Sequence, residues 1–218
     1  MKLLLTSAGV RNKTIKNALV GLLDKKIEEC IMVYIPTAAN TEEGDKGWLI
    51  DDLKRLKDLN LAMIDIVDIS ALPRETVLKR FEQADILVFG GGNTFHLMHW
   101  LEKQELRKEL REMLKTKVFI GISAGSMVAT SNLILSDSKR LYEEYDNPVD
   151  NLDGLGFVDF HIRPHFNSSD FPNVDKENLT EVARDITEPV YGIDDQTAIV
   201  IEDGKIEVVS EGKWEKFD

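Results

Sequence analysis

A single cysteine, Cys30, stands among 218 residues, so no internal disulfide can form and a disulfide-stapled scaffold is excluded. It adjoins the apolar run Ile31–Ile35, where a buried structural thiol is expected rather than a nucleophile. Only six prolines are present, and no Pro/Gly/Ser-rich stretch marks a linker. Positive charge is scarce: 27 Lys and Arg face 39 Asp and Glu, for a net charge of −12. The summed field repels phosphate, which argues against nucleic acid or an anionic membrane as partner. No apolar run approaches the length of a membrane span, and the apolar stretch after Met1 is too short for a signal peptide. A cytoplasmic location is the default expectation.

What is present fits one globular domain over 1–218, with 43% hydrophobic and 30% charged residues. Short apolar runs at Lys2–Thr6, Ile31–Ile35, Leu61–Ile69, Ile86–Phe89 and Val118–Ile122 read as strands covered on both faces. Between and after them, Lys13–Lys25, Lys46–Leu59, Arg74–Phe81, Thr94–Lys115 and Val174–Arg184 carry apolar residues at helical spacing. This alternation predicts an α/β fold, a mostly parallel sheet flanked by helices. Two strand-like runs around Glu202-Asp-Gly-Lys205 predict an antiparallel hairpin at the C-terminal edge.

The run Val118–Ile122 breaks on Gly121-Ile-Ser123-Ala-Gly125 and passes into a helix-compatible segment. That is the pattern of a nucleophile elbow, in which a serine sits on a sharp turn with its hydroxyl exposed. Serines at such turns also serve simply as helix caps. A second turn, Gly90-Gly-Gly-Asn-Thr94, follows another predicted strand. It lacks the Gly-Lys-Ser/Thr ending of a phosphate loop, so an oxyanion hole is the better reading, with Gly91 or Gly92 and Ala124 as backbone donors. Asn93 is a candidate substrate contact as well as a helix cap.

A serine nucleophile needs a base. His165, after Pro164 where a strand gives way to a loop, is favoured over His161; His96 and His99 lie in a helix-like stretch with Phe95 and Trp100. Seven acids lie between Ser123 and His165, namely Asp137, Glu143, Glu144, Asp146, Asp150, Asp153 and Asp159, and spacing does not choose among them. The pair Asp194-Asp195 is read as shaping the pocket or bonding backbone. No His-Glu-x-x-His or paired Cys/His cluster suggests a metal, and no cofactor is called for.

Four motifs in order, Gly90-Gly-Gly-Asn-Thr, Gly121-Ile-Ser-Ala-Gly-Ser, Arg163-Pro-His-Phe-Asn and Gly192-Ile-Asp-Asp-Gln-Thr-Ala, resemble the peptidase E and cyanophycinase family of serine peptidases, from about Leu3 to Val209. The resemblance implies a fold related to class I glutamine amidotransferases, with Ser123 as nucleophile and His165 as base. It places the acid shortly before a proline, where Asp146 fits best and Glu144 and Glu143 come next. Specificity for N-terminal aspartate is associated in that family with an arginine in the helix after the histidine. Here Asn178, Leu179 or Thr180 stands near that place, so aspartyl specificity is not implied, and Arg163 becomes the candidate cation for a substrate carboxylate.

The expected function is therefore hydrolysis of an amide bond in small peptides through an acyl-enzyme at Ser123, with Asp146 orienting His165. The alternatives are a non-catalytic binding module on the same fold and an amidase acting on a non-peptide substrate. Phe95 and Trp100 mark a candidate homodimer face, although aromatic residues at helical spacing more often pack in a core.

Overall fold

The structure, a computed structural model, describes residues 1–143 and 153–218. Ten strands are described: β1 (Lys2–Thr6), β2 (Ile31–Ile35), β3 (Met63–Ile66), β4 (Ile86–Phe89), β5 (Val118–Ile122), β6 (His161–Arg163), β7 (Val190–Ile193), β8 (Thr197–Glu202), β9 (Lys205–Ser210) and β10 (Trp214–Phe217). Eight helices accompany them: α1 (Lys13–Leu22), α2 (Gly47–Lys57), α3 (Arg74–Gln83), α4 (Thr94–Lys103), α5 (Arg107–Met113), α6 (Ala124–Met127), α7 (Leu135–Tyr142) and α8 (Lys176–Arg184).

Seven strands form the main sheet in the order β3-β2-β4-β5-β1-β8-β9. The first five in that order run parallel, and β8 and β9 complete the edge as the expected antiparallel hairpin. Alternate residues of the central strands enter opposite cores: Leu3, Leu5, Leu87, Phe89 and Phe119 on one face, Leu4, Ile86, Val88, Ile120 and Ile122 on the other. This two-sided burial is why those strands read as unbroken apolar runs. Each fully buried large side chain contributes about 1.5–3 kcal/mol. Phe89 and Phe119 also stack with ring centroids 4.9 Å apart.

Helix ends follow local chemistry. The side chains of Asn12, Asn93 and Asp175 accept the N–H of the third residue on, capping α1, α4 and α8. The predicted helix Thr94–Lys115 is two helices, because Glu105 adopts a left-handed φ of 52° and the Leu106 N–H turns back to the Leu101 carbonyl. A second sheet, β10-β7-β6, contains the strand expected before Pro164 as β6, adds β7 and β10, which were not expected, and packs with α8 through Phe166, Leu179, Val190 and Phe217. Cys30 is buried as expected, and burial pushes its thiol pKa up. No described helix is long and apolar enough to cross a membrane.

Candidate active site

Ligand-binding loops of an open α/β sheet lie beyond the carboxyl ends of its parallel strands. Here the loops after β1, β4 and β5 meet the turn that leads into β8. Because β8 is antiparallel to β1, with Ala198 opposite Thr6, residues 194–196 arrive at that same end.

Ser123 ends β5 with φ 49° and ψ −110° and starts α6. A non-glycine residue in such a conformation costs on the order of 1–3 kcal/mol and needs an over-determined surrounding. Its N–H donates to the Thr6 carbonyl at 3.1 Å, while its carbonyl accepts from Ser126 and Met127. Ser126 Oγ also donates to the Thr6 carbonyl, at 2.8 Å. Gly125 lets α6 rest on β4: a Cβ there would overlap the Phe89 carbonyl.

The Ser123 hydroxyl lies 3.0 Å from His165 Nε2, and His165 Nδ1 lies 2.8 Å from Asp195 Oδ1. His165 has a left-handed φ of 65°. Its backbone N–H donates to Ser7 Oγ at 2.8 Å, and its ring stacks on Phe171 with centroids 4.2 Å apart. Ser7 Oγ donates in turn to Asp195 Oδ1 at 2.7 Å, and Arg11 Nη1 donates to Asp195 Oδ2 at 3.1 Å. Burial alone would raise the Asp195 carboxyl. The hydrogen bond and charge of His165, with Ser7 and Arg11, outweigh it and hold the pKa down to about 2. Asp195 is thus ionised wherever His165 could act as a base.

Gly91 and Gly92 line the same cavity as Ser123, and a Cβ on Gly91 would lie 3.5 Å from Ser123 Cβ. Gly92 has φ +125°, and a side chain there would collide with the Ala38 backbone. Among the described residues, the N–H groups of Gly91, Gly92 and Ala124 donate to no acceptor. A cavity of about 370 Å³ opens over Ser123, with Trp48, Asp52, Met127 and Phe171 among its walls. Its size suits one or two amino-acid residues.

The sequence profile described as peptidase family S51 matches residues 3–209. The chain belongs to peptidase family S51. An uncharacterized peptidase of Listeria monocytogenes, Lmo0363, is 29% identical over 171 residues, covering 78% of this chain and 81% of that protein. A protein named peptidase E from Shewanella oneidensis is 31% identical over 178 residues, covering 77% and 69%. A crystal structure of a protein provisionally assigned to peptidase E, from Listeria monocytogenes EGD-e, superposes with a TM-score of 0.80 at 24% identity over 97% of this chain and 98% of that one. Membership makes this S51 chain a serine-type peptidase on a peptidase E-like fold.

Against this S51 frame, the residues singled out in the sequence fall into two groups. Ser123, His165, Gly91 and Gly92 line the cavity, and Ala124 is buried at the start of α6, next to Ser123 in the chain. Asn93 is buried and turned to capping, its Oδ1 accepting the His96 N–H, and it does not line the cavity. Arg163 is not the substrate cation expected: it is 3% exposed, with Nη2 donating to Asp137 at 3.0 Å, and it too lies off the cavity wall. A buried guanidinium cannot leave its carboxylate without a heavy desolvation cost.

Asp146 and Glu144 lie outside the described residues, and Glu143 is exposed at the end of α7. The carboxylate found on His165 Nδ1 is that of Asp195, a residue that the sequence suggests for shaping the pocket or bonding backbone, or less favourably for a cation, and not for the triad. Its neighbour Asp194 does bond backbone, accepting from Gln196 and Lys213. Ser7 and Arg11 carry no motif and escape a reading of the sequence; Gly9 between them, with a left-handed φ of 75° after the end of β1, is the available signal. Phe95 is fully buried, so it forms no dimer face. Trp100 is half-buried, with Lys103 Nζ over its ring at 4.1 Å.

Proposed function

We propose that this S51 peptidase hydrolyses small peptides through an acyl-enzyme on Ser123. Ser123 Oγ attacks the scissile carbonyl while His165 Nε2 takes its proton, and His165 then protonates the departing amine. Asp195 holds the imidazole with Nδ1 protonated and Nε2 free to accept, and it stabilises the imidazolium once formed. The N–H groups of Gly91 or Gly92 and of Ala124 stabilise the oxyanion; each such donor is typically worth about 2.7–4 kcal/mol in the transition state. Water then attacks the acyl-enzyme with His165 again as base.

The observation that carries this reading is the hydrogen-bonded chain from Ser123 Oγ through His165 to Asp195 Oδ1, at 3.0 and 2.8 Å. Within S51, cleavage of N-terminal aspartyl dipeptides finds little support in the cavity. Among the described residues Arg11 is the one Lys or Arg lining it, and Arg11 is already bonded to Asp195. The test is release of free amino acids from a panel of unblocked dipeptides varied at the first residue, with Ser123→Ala as control. Hydrolysis by the wild-type chain and its loss in the variant are expected; retained hydrolysis in Ser123→Ala would remove the assignment.

A further inference from the structure

One helix face meets the cavity with a pairing that the triad does not use. Trp48 and Asp52 stand one turn apart on α2, and both line the cavity. The Trp48 ring reaches over the triple-glycine loop, 3.7 Å from where a Cβ on Gly91 would lie. Asp52 sits on the other side, over Gly9 and close to Ile122, the residue before Ser123; a Cβ on Gly9 would lie 3.5 Å from Asp52 Oδ1 and 3.3 Å from Ile122 Cδ1.

Asp52 is only 7% exposed. Its Oδ1 accepts from Arg55 Nη1 at 3.0 Å, while Oδ2 accepts no hydrogen bond among the described residues. Oδ2 is not among the buried oxygens that lack a partner, and Asp52 lines the cavity; a carboxylate so largely withdrawn from water still carries a desolvation cost. Burial indeed pushes its pKa up to about 6, against the opposing charges of Arg55, Arg11 and His165. A cationic ligand donating to Oδ2 would relieve that cost, and an aromatic wall one helical turn away supplies the apolar side of such a ligand's site.

The charge around the cavity points the same way. Glu42 and Asp170 stand exposed on its lining, and among the described residues neither side chain has a cation partner. The charge of Arg11 is met by Asp195 at 3.1 Å. A substrate carboxylate would face an acidic lining with no free cation, whereas an ammonium group would be drawn in.

We propose that Asp52 is a specificity residue, its Oδ2 accepting the α-ammonium of an unblocked peptide whose first side chain packs against Trp48. The inference rests on Ser123 being the nucleophile and adds the chemical class of substrate: a free N terminus bearing an apolar first residue.

The test uses diphenyl phosphonates, in which Ser123 Oγ forms a bond to phosphorus, phenoxide leaves, and the serine proton passes to His165. Labelling rates are compared for the leucine analogue with its amine free, the same probe acetylated, and an N-acetyl-lysine analogue. The free amine is expected to label about 10- to 100-fold faster than its acetylated form, the range for one charge-assisted hydrogen bond. Asp52→Asn is expected to bring that ratio close to unity, and Asp52→Glu, which keeps the charge, to restore part of it. A ratio within one preparation is insensitive to the fraction folded. Equal wild-type rates, or a ratio unchanged in Asp52→Asn, would overturn the proposal while leaving Ser123 as nucleophile. Faster labelling by the N-acetyl-lysine probe than by N-acetyl-leucine would overturn the assignment to an α-amine. Absence of labelling by all three probes would instead remove the nucleophile on which the proposal stands.

Discussion

Ser7 Oγ donates to Asp195 Oδ1 at 2.7 Å across a sequence separation of 188 residues. Ser7 Oγ also accepts the backbone N–H of His165, at 2.8 Å. One hydroxyl from the loop after β1 therefore fixes both the carboxylate and the backbone of the base, which belong to two other loops. Ser123 is anchored to the same strand end through its N–H on the Thr6 carbonyl. The end of β1 is thus the common reference for all three members of the chain.

Replacing Ser7 by Ala removes a donor to Asp195 and leaves the His165 N–H without that acceptor. Loss of one or two hydrogen bonds to partly charged groups predicts a fall of about 10- to 100-fold in kcat, with KM little changed because Ser7 acts through the triad rather than on the substrate. Ser7→Thr, which keeps the hydroxyl, is expected to recover most of it. Steady-state kinetics of the three proteins checks the split. A uniform loss in Ala and Thr variants alike would indicate damage to the β1 loop instead.

Asp195→Asn exchanges an acceptor for an amide that can donate to Nδ1, favouring the tautomer in which Nε2 carries the proton. A loss of about 10³- to 10⁴-fold in kcat at neutral pH is expected for such a change. Asp146→Ala, by contrast, is expected to leave kcat within about threefold, since the carboxylate bonded to His165 Nδ1 is that of Asp195 and a change that touches no such partner has a small effect. The two variants assayed together decide which carboxylate serves the imidazole.

These residues also show what could be read from the chain alone. The runs 2–6, 31–35, 86–89 and 118–122 are strands with the predicted bounds, because burial on both faces leaves an unbroken apolar signal. Ser123 and His165 were legible because each stands where an apolar run ends. Asp195 was not: it follows the histidine in sequence, and it reaches Nδ1 only because β8 inserts antiparallel beside β1. Strand order is a tertiary fact with no local signature, and Ser7 and Arg11 were hidden for the same reason. The strands β7 and β10, of four residues each, are too short to show a period. The break between α4 and α5 falls on Glu105, where neither glycine nor proline announces it.

His161 gives a test of stability rather than catalysis. It is 1% exposed, and neither ring nitrogen has a hydrogen-bond partner among the described residues. Burial, reinforced by Arg163 and only partly offset by Glu188, lowers its pKa to about 4. The unfolded chain therefore binds a proton near the ordinary value of 6.5 that the folded chain refuses. Stability present above pH 6.5 is lost as pH falls toward 4, by roughly 3 kcal/mol in total. His161→Met, apolar and of similar size, is expected to narrow the difference in Tm between pH 7 and pH 4.5, as read by thermal unfolding of the two proteins.

Asp52 runs in the opposite direction. Burial first, opposed by Arg55, Arg11 and His165, raises its folded pKa to about 6, against 3.8 for the unfolded carboxyl. The folded state holds the proton that the unfolded state releases, so the stability due to the protonated form is complete below pH 3.8 and is lost as pH rises through 6. The loss amounts to roughly 3 kcal/mol. Asp52→Asn removes this titration, and its Tm relative to wild type is expected to be higher at pH 8 than at pH 4. A residue that weakens the empty fold at neutral pH, and whose removal would also erase selectivity for a free amine, is what a binding role at the cost of stability requires. If Asp52→Asn instead lost stability equally at both pH values, the carboxylate would be acting as the structural partner of Arg55.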